Sequence, residues 1–405
     1  MRPACLRIAR VLILGWFAGI ACLAWARQPS LSPEDLARKK EGWYPLGLPF
    51  ANGNTDFGFG AGGGLYLFYT GHRTNADGSP NTEFARWPHE VRLGFQLYFT
   101  TLGQQKHFLN LDIPRLGNDR FSLSAEAAWW TTLAENYFGI GGNTPGLAAA
   151  PGYQQVTSET PYLTARLTSG LFGDLALLTA VKIRYARLVS RSNARRDDGV
   201  VIGTTLFDEE HPVGWEGGWA NSATLGLVFD RRDFTPWPRK GVFAQLSYDG
   251  YPGGFSERVF GRWNGEFSGF VPLAKTLVAC ARVSASEILG EAPFWEYARL
   301  GGNDRLRGLA DRRFLDRSMV LANLEARWRA LDWRIRKEQF HLALVPFLDL
   351  GQVAPSILSP LMWRGWHLST GFEAILTWNL STHLNVTAGF SVEGFAFAVD
   401  TRVMF

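Results

Sequence analysis

The 405-residue chain is 46% hydrophobic and 14% aromatic, holds 44 Gly, 29 Phe and 16 Trp, and carries a formal charge of +4. That balance excludes the basic stripe of a nucleic-acid surface. Of the three cysteines, Cys5 and Cys22 fall in the first 26 residues, which leaves Cys280 without a partner and excludes a disulfide framework or a Cys-based metal site. Beyond residue 26 no apolar run reaches the roughly 20 residues of a spanning helix, so a helical membrane protein is excluded as well.

In chain order, Arg2, Arg7 and Arg10, the apolar run Val11 to Leu23 and the closing Ala24-Trp25-Ala26 have the layout of a secretory signal peptide over 1–26. Its removal would leave a secreted chain starting at Arg27, with a net charge of +1. Residues 27–55 are short, polar and proline-bearing (Pro29, Pro33, Pro45, Pro49), and read as a periplasmic lead-in with a small helix at 33–40 and no room for a second domain of ordinary size.

From residue 56 onward the chain reads as fifteen strands, at 57–69, 89–101, 105–113, 119–131, 161–170, 174–188, 219–230, 241–250, 259–271, 275–287, 318–329, 341–350, 366–378, 382–392 and 395–405. Their side chains alternate. Val91, Leu93, Phe95, Leu97 and Phe99 oppose Arg92, Gln96 and Tyr98; Leu175, Leu177, Val181, Ile183 and Tyr185 oppose Lys182 and Arg184. In the last strand Phe395, Phe397, Val399, Thr401, Val403 and Phe405 oppose Ala396, Ala398, Asp400, Arg402 and Met404. A period of two sends the two sets to opposite faces of a sheet. Keeping charge off the apolar face is what lipid demands, since Lys or Arg at the bilayer midplane costs about 2–4 kcal/mol.

Long connections at 70–88, 190–218 and 288–317 contrast with short ones at 102–105 and 271–275, the pattern of long extracellular loops and short periplasmic turns. Single-chain barrels of bacteria have an even strand number. Parity therefore places a sixteenth strand between Trp130 and Tyr162, near Tyr137 to Ala149. The expected fold is all-β, a transmembrane antiparallel β-barrel over 56–405 in a Gram-negative outer membrane, monomeric and surrounded by lipid and lipopolysaccharide.

Within the barrel, Phe57 to Gly64 is rich in glycine, including Gly60 and Gly62, which weakens strand packing. Its pairing with the last strand is expected to form a weak seam, either a gate where a client strand adds by β-augmentation or a place where the chain bends. Gly394 supports a bend before the closing strand, and Phe405 looks like a C-terminal assembly signal. In the connection 288–317, Gly301 and Gly302 precede Leu306-Arg307-Gly308; the glycines allow a sharp reversal that projects a guanidinium. Were this loop to enter the lumen, inward-facing Glu325 and Asp349 would be the candidate partners of Arg307 in a forked ion pair. The alternative is a solvated loop arginine. The seven histidines form no zinc motif and no serine sits in a nucleophile elbow, so neither a catalytic residue, a metal nor another cofactor is expected. Asp230 to Asp233 read as a salt-bridged turn.

Several of these stretches resemble the BamA/TamA-type barrels, the bacterial surface antigen superfamily. Asp230-Arg231-Arg232-Asp233 with Pro238-Arg239-Lys240-Gly241 is similar to its Asp-x-Arg-Asp…Pro-x-x-Gly turn. Leu300 to Gly308 is similar to its lumen loop, Asn323 to Arg327 to the acidic strand that follows, and Pro346 to Gly351 to its F-x-D-x-G strand. The resemblance covers about residues 45–405. It implies sixteen strands, periplasmic termini, a lumen loop whose Arg307 locks against Glu325 and Asp349, and insertion or translocation of polypeptides. Clients would be unfolded outer-membrane proteins. Two departures stand out: Leu309 replaces an aromatic residue after the Arg-Gly tip, which predicts looser loop packing, and 27–55 is too short for a polypeptide-transport-associated (POTRA) repeat, so separate periplasmic partners would have to supply that role. A pore or structural barrel without client activity is the alternative reading.

Overall fold

The computed structural model describes Leu36 and residues 39–400, apart from 82–83, 85–88, 118–119, 147–149, 151, 196–198, 234–236, 336–337 and 379–381. The expected signal peptide, most of the 33–40 helix and Phe405 lie outside the described residues. Sixteen antiparallel strands form a closed barrel. They are β1 Trp43–Asn54, β2 Gly58–Tyr69, β3 Val91–Thr100, β4 Gln104–Leu116, β5 Phe121–Asn136, β6 Gln155–Phe172, β7 Leu175–Ser190 and β8 Ser222–Asp230. There follow β9 Gly241–Tyr251, β10 Phe260–Pro272, β11 Leu277–Gly290, β12 Ser318–Ile335, β13 Glu338–Ala354, β14 His367–Trp378, β15 Thr382–Ser391 and β16 Gly394–Asp400. A two-residue piece, Gly218–Trp219, extends the β8 side of β7. Neighbours in sequence are neighbours in the sheet, and β16 returns to β1 through Gly53 opposite Val399 and Asn54 opposite Ala398.

Alternation decides which side chains face out. In β3, Leu93, Phe95, Leu97 and Phe99 are exposed on the outer surface while Gly94 and Tyr98 are buried inside. The interior is correspondingly polar: Arg307, Arg327, Glu325, Asp349 and Asn323 are all buried.

Three sequence expectations need correction. The sixteenth strand is β1, so the barrel begins inside the segment 27–55 taken as a lead-in, and the described residues of 137–149 form no barrel strand. Pro45 and Pro49 concealed it, because proline cannot donate to a ladder and argues against a central strand. Here β1 is fully paired with β2 but meets β16, among the described residues, only through the two pairs at Gly53 and Asn54. The second correction concerns sides. Counting strands from β1, the connection 70–90 lies at the end of the barrel where β1 begins, together with 273–276, and 101–103 lies at the opposite, loop-bearing end with 191–217 and 291–317. Length misled because 70–90 is long for a local reason: it packs on the approach to β1, with Lys39 Nζ donating to the Phe84 carbonyl at 2.6 Å and Arg73 paired to Glu41 at 2.8 Å. With that connection on the correct side, no extra strand is required between Trp130 and Tyr162.

Third, Gly60 and Gly62 are on β2, one strand away from the seam. A Cβ at Gly60 would strike the Tyr98 ring, and one at Gly62 would lie 2.7 Å from the Phe50 ring. These glycines seat inward aromatic rings against the sheet.

At the loop-bearing end the connections cover the lumen. Tyr137, Phe207, Phe294, Trp295 and Leu315 form a buried apolar cluster with Tyr251, Phe260 and Ile288 of the barrel wall. The stretch expected as a strand, from Tyr137, is part of this cover: Gly141 N–H donates to the Leu315 carbonyl at 2.7 Å.

Candidate functional site

The connection 291–317 turns inward and down the lumen. It starts with a 3-10 turn at Phe294–Glu296, and its two legs, Ala298–Leu300 and Phe314–Asp316, pair as a short antiparallel ribbon. Gly301 and Gly302 reverse the chain at φ 101° and 82°, conformations that glycine adopts without steric cost. Inside the loop Arg299 holds Asp304 at 2.8 Å and also pairs with Asp311. Leu300, Leu306, Leu309 and Phe314 bury themselves against Met319, Leu321 and Val353 of the wall. Leu309 is thus a packed core residue, and the looser packing expected from the missing aromatic is absent at this position.

The tip is Arg307, 1% exposed. Its Nε and Nη2 donate to the two oxygens of Asp349 at 2.9 and 2.8 Å, and its backbone N–H donates to Asp349 Oδ2 at 3.1 Å. Nη1 donates to Glu325 Oε1 at 2.8 Å and approaches Glu373 Oε2 at 3.4 Å. The guanidinium lies 3.7 Å from the centroid of the Phe347 ring, a cation–π contact strengthened by exclusion of water. Arg327 holds the other oxygen of Glu325 at 2.9 Å, and Asn323 Nδ2 bridges Asp349 Oδ1 and the Arg305 carbonyl, both at 2.8 Å. Arg282 Nε in turn donates to Asn323 Oδ1 at 3.0 Å. A planar fork met by carboxylates from two adjacent strands fixes both the position and the direction of the loop tip.

Gly308 explains why the tip can come this close. At φ 89° its missing side chain leaves room for β15: a Cβ there would lie 2.8 Å from Phe390 N and 2.9 Å from Gly389 C. Gly389 faces it, and a Cβ there would lie 2.5 Å from Gly308 N. Two backbones are in contact because both residues lack a side chain.

Sequence reasoning did not single out Glu373 or Glu296. Glu373 lies between outward-facing Phe372 and the less exposed Ala374 in β14, so the parity rule used for Glu325 reaches it too. Glu296 carried no motif. It is buried at the top of the lumen, where Lys182 Nζ, Arg184 Nη1 and Arg262 Nη2 approach its carboxylate at 3.0, 2.7 and 2.8 Å and Tyr251 Oη donates at 3.2 Å. Burial opposes its ionisation, but the Lys182, Arg184 and Arg262 cations prevail and hold the carboxyl well below the usual range. The one available hint was a surplus of inward cations on β7, Lys182 and Arg184. Gly394 opens β16 at φ 127°. Among the described residues no group of His, Cys, Asp and Glu could hold a metal ion.

Comparison with known proteins bears on this arrangement. The profile of the Omp85 superfamily domain matches residues 154–358, half of the chain, and a domain of unknown function (DUF5982) matches residues 23–77. No curated protein matches. Among solved structures, BamA from Haemophilus ducreyi lacking POTRA domains 1–3 superposes with a TM-score of 0.54 at 13% identity, covering 89% of this chain and 70% of that one. CdiB from Escherichia coli superposes with a TM-score of 0.56 at 12% identity over 93% of this chain; the chain spans 63% of that relative. At these identities the likeness is one of fold.

Proposed function

Since the chain belongs to the Omp85 superfamily, we propose that it is an outer-membrane barrel that inserts polypeptides into that membrane or moves them across it, with unfolded outer-membrane proteins as clients. The observation that carries the reading is the inward loop: the lumen is occupied by a segment of the chain itself, held by a buried Arg307 against Glu325, Asp349 and Glu373. Such a barrel is poorly suited to free diffusion and well suited to presenting a fixed internal surface beside a closing seam. We place both termini on the periplasmic side, where separate partners could deliver clients. The test is reconstitution: liposomes containing the purified protein should fold an unfolded barrel client faster than protein-free liposomes. Equal rates would overturn the proposal.

One observation favours a second reading, a narrow pore. A polar cavity of about 320 Å³ remains beside the loop, lined by Gln245, Asn264, Glu266, Arg282, Ser284 and Arg305. If it conducts, planar bilayers should record a small steady current that rises sharply on deletion of residues 295–312. A silent bilayer with the parent protein excludes this reading.

A further inference from the structure

Among the described residues the seam between β1 and β16 is paired at Gly53 with Val399 and at Asn54 with Ala398. Gly42 N–H bonds to Gly71 O beside β2, whereas Thr55 N–H bonds to Phe397 O on the other side. Alternation then points the amide positions of even residues of β1 toward β2 and those of odd residues toward the seam. Pro45 and Pro49 are both odd, so two places along the seam edge of β1 have no N–H to donate. Prolines on an edge also discourage pairing with an outside strand.

At its loop-bearing end the same seam is flanked by two turns, 55–57 between β1 and β2 and 392–393 between β15 and β16. The returning leg of the lumen loop touches both. Asp311 N–H donates to Asp56 Oδ2 at 2.9 Å, and Asn136 Nδ2 donates to Asp56 Oδ1 at 2.9 Å and to the Asp311 carbonyl at 3.2 Å. Two residues further on, Arg313 pairs with Glu393 at 2.6 Å and donates to Thr144 Oγ1 at 2.7 Å. Arg313 is 2% exposed and stacks on the Phe314 ring at 4.4 Å.

We propose that residues 311–313 form a clasp: they grip the turn on each side of the seam, through Asp56 and Glu393, and hold closed a junction whose β1 edge carries no N–H donor at Pro45 and Pro49. The lumen loop therefore has two separate attachments. Arg307 ties its tip to the wall at β12 to β14, and Arg313 ties its base across the seam. A movement that lifts the base frees the seam while the tip stays locked.

The experiment is hydrogen–deuterium exchange on the full chain refolded in liposomes, with no client present, so its outcome is independent of the insertion assay. Glu393→Gln, a change in a partly exposed turn, and Arg313→Gln should each make amides of 50–60 and 390–400 exchange about tenfold faster, while 160–185 on the opposite wall keeps the parental rate. Seam exchange within about twofold of the parent in Glu393→Gln would overturn the clasp. So would acceleration spread evenly around the barrel, which would mean that these contacts merely support the fold.

Discussion

Arg307→Ala will lower the temperature at which the folded barrel converts to its slow-migrating unfolded band, and by more than any other single change in the loop tip. The substitution removes four side-chain donor contacts to carboxylate oxygens, including the two that fork onto Asp349, and leaves the three carboxylates with Arg327 at Glu325 and the more distant Arg282 behind Asn323. Breaking one partner out of a buried ion pair costs about 3–5 kcal/mol, because the group left behind keeps its burial and loses its counter-charge. Glu373 makes the longest contact, at 3.4 Å, so adding Glu373→Gln to the alanine variant removes surplus negative charge and should restore part of the loss. Arg307→Lys should behave much like alanine, since an ammonium cannot fork onto Asp349 while also reaching Glu325. Parental heat resistance in Arg307→Ala would show that the buried fork contributes nothing net to stability.

Glu296→Gln should be comparably costly, and at a different part of the wall, β7, β9 and β10. The amide would leave Lys182, Arg184 and Arg262 around a neutral group, three cations that the fold brings together through this carboxylate. The same reasoning gives about 3–5 kcal/mol. The expected readout is twofold: a lower unfolding temperature, and trypsin cleavage at Arg299 that is faster than in the parent. The pH profile carries the sign of the effect. A carboxyl held below its unfolded value of about 4.3 contributes stability that is present above that pH and is lost as the pH falls through the folded value. The parent should therefore lose heat resistance on acidification below about pH 4 more steeply than Glu296→Gln. Identical profiles would show that Glu296 does not carry the charge that binds the three cations.

Strand parity makes much of the interior legible in the amino-acid order alone. Glu325 sits between Leu324 and Ala326 and Asp349 between Leu348 and Leu350, so each is an acid on the polar face of an apolar strand, and the glycines at 301, 302 and 308 mark where a loop can fold back. The first strand was hidden for a physical reason. Prolines exclude a segment from a sheet only when both edges must donate, and whether β1 needs its second edge depends on β16, a strand some 340 residues away. Gly60 and Gly62 looked like a weak seam because glycine removes packing; what they accommodate, the rings of Tyr98 and Phe50, comes from neighbouring strands.

The order of residues along the chain thus dictates local features: an alternating pattern that assigns each side chain to lipid or lumen, and a glycine-bearing loop able to reverse. Which charges meet, which strand closes the ring and which end each connection occupies emerge from the folded cylinder. The reason is that closure is a property of the whole cylinder. Arg307 reaches Glu373 across 66 residues and Asp311 reaches Asp56 across 255, distances over which a period of two carries no information about registration.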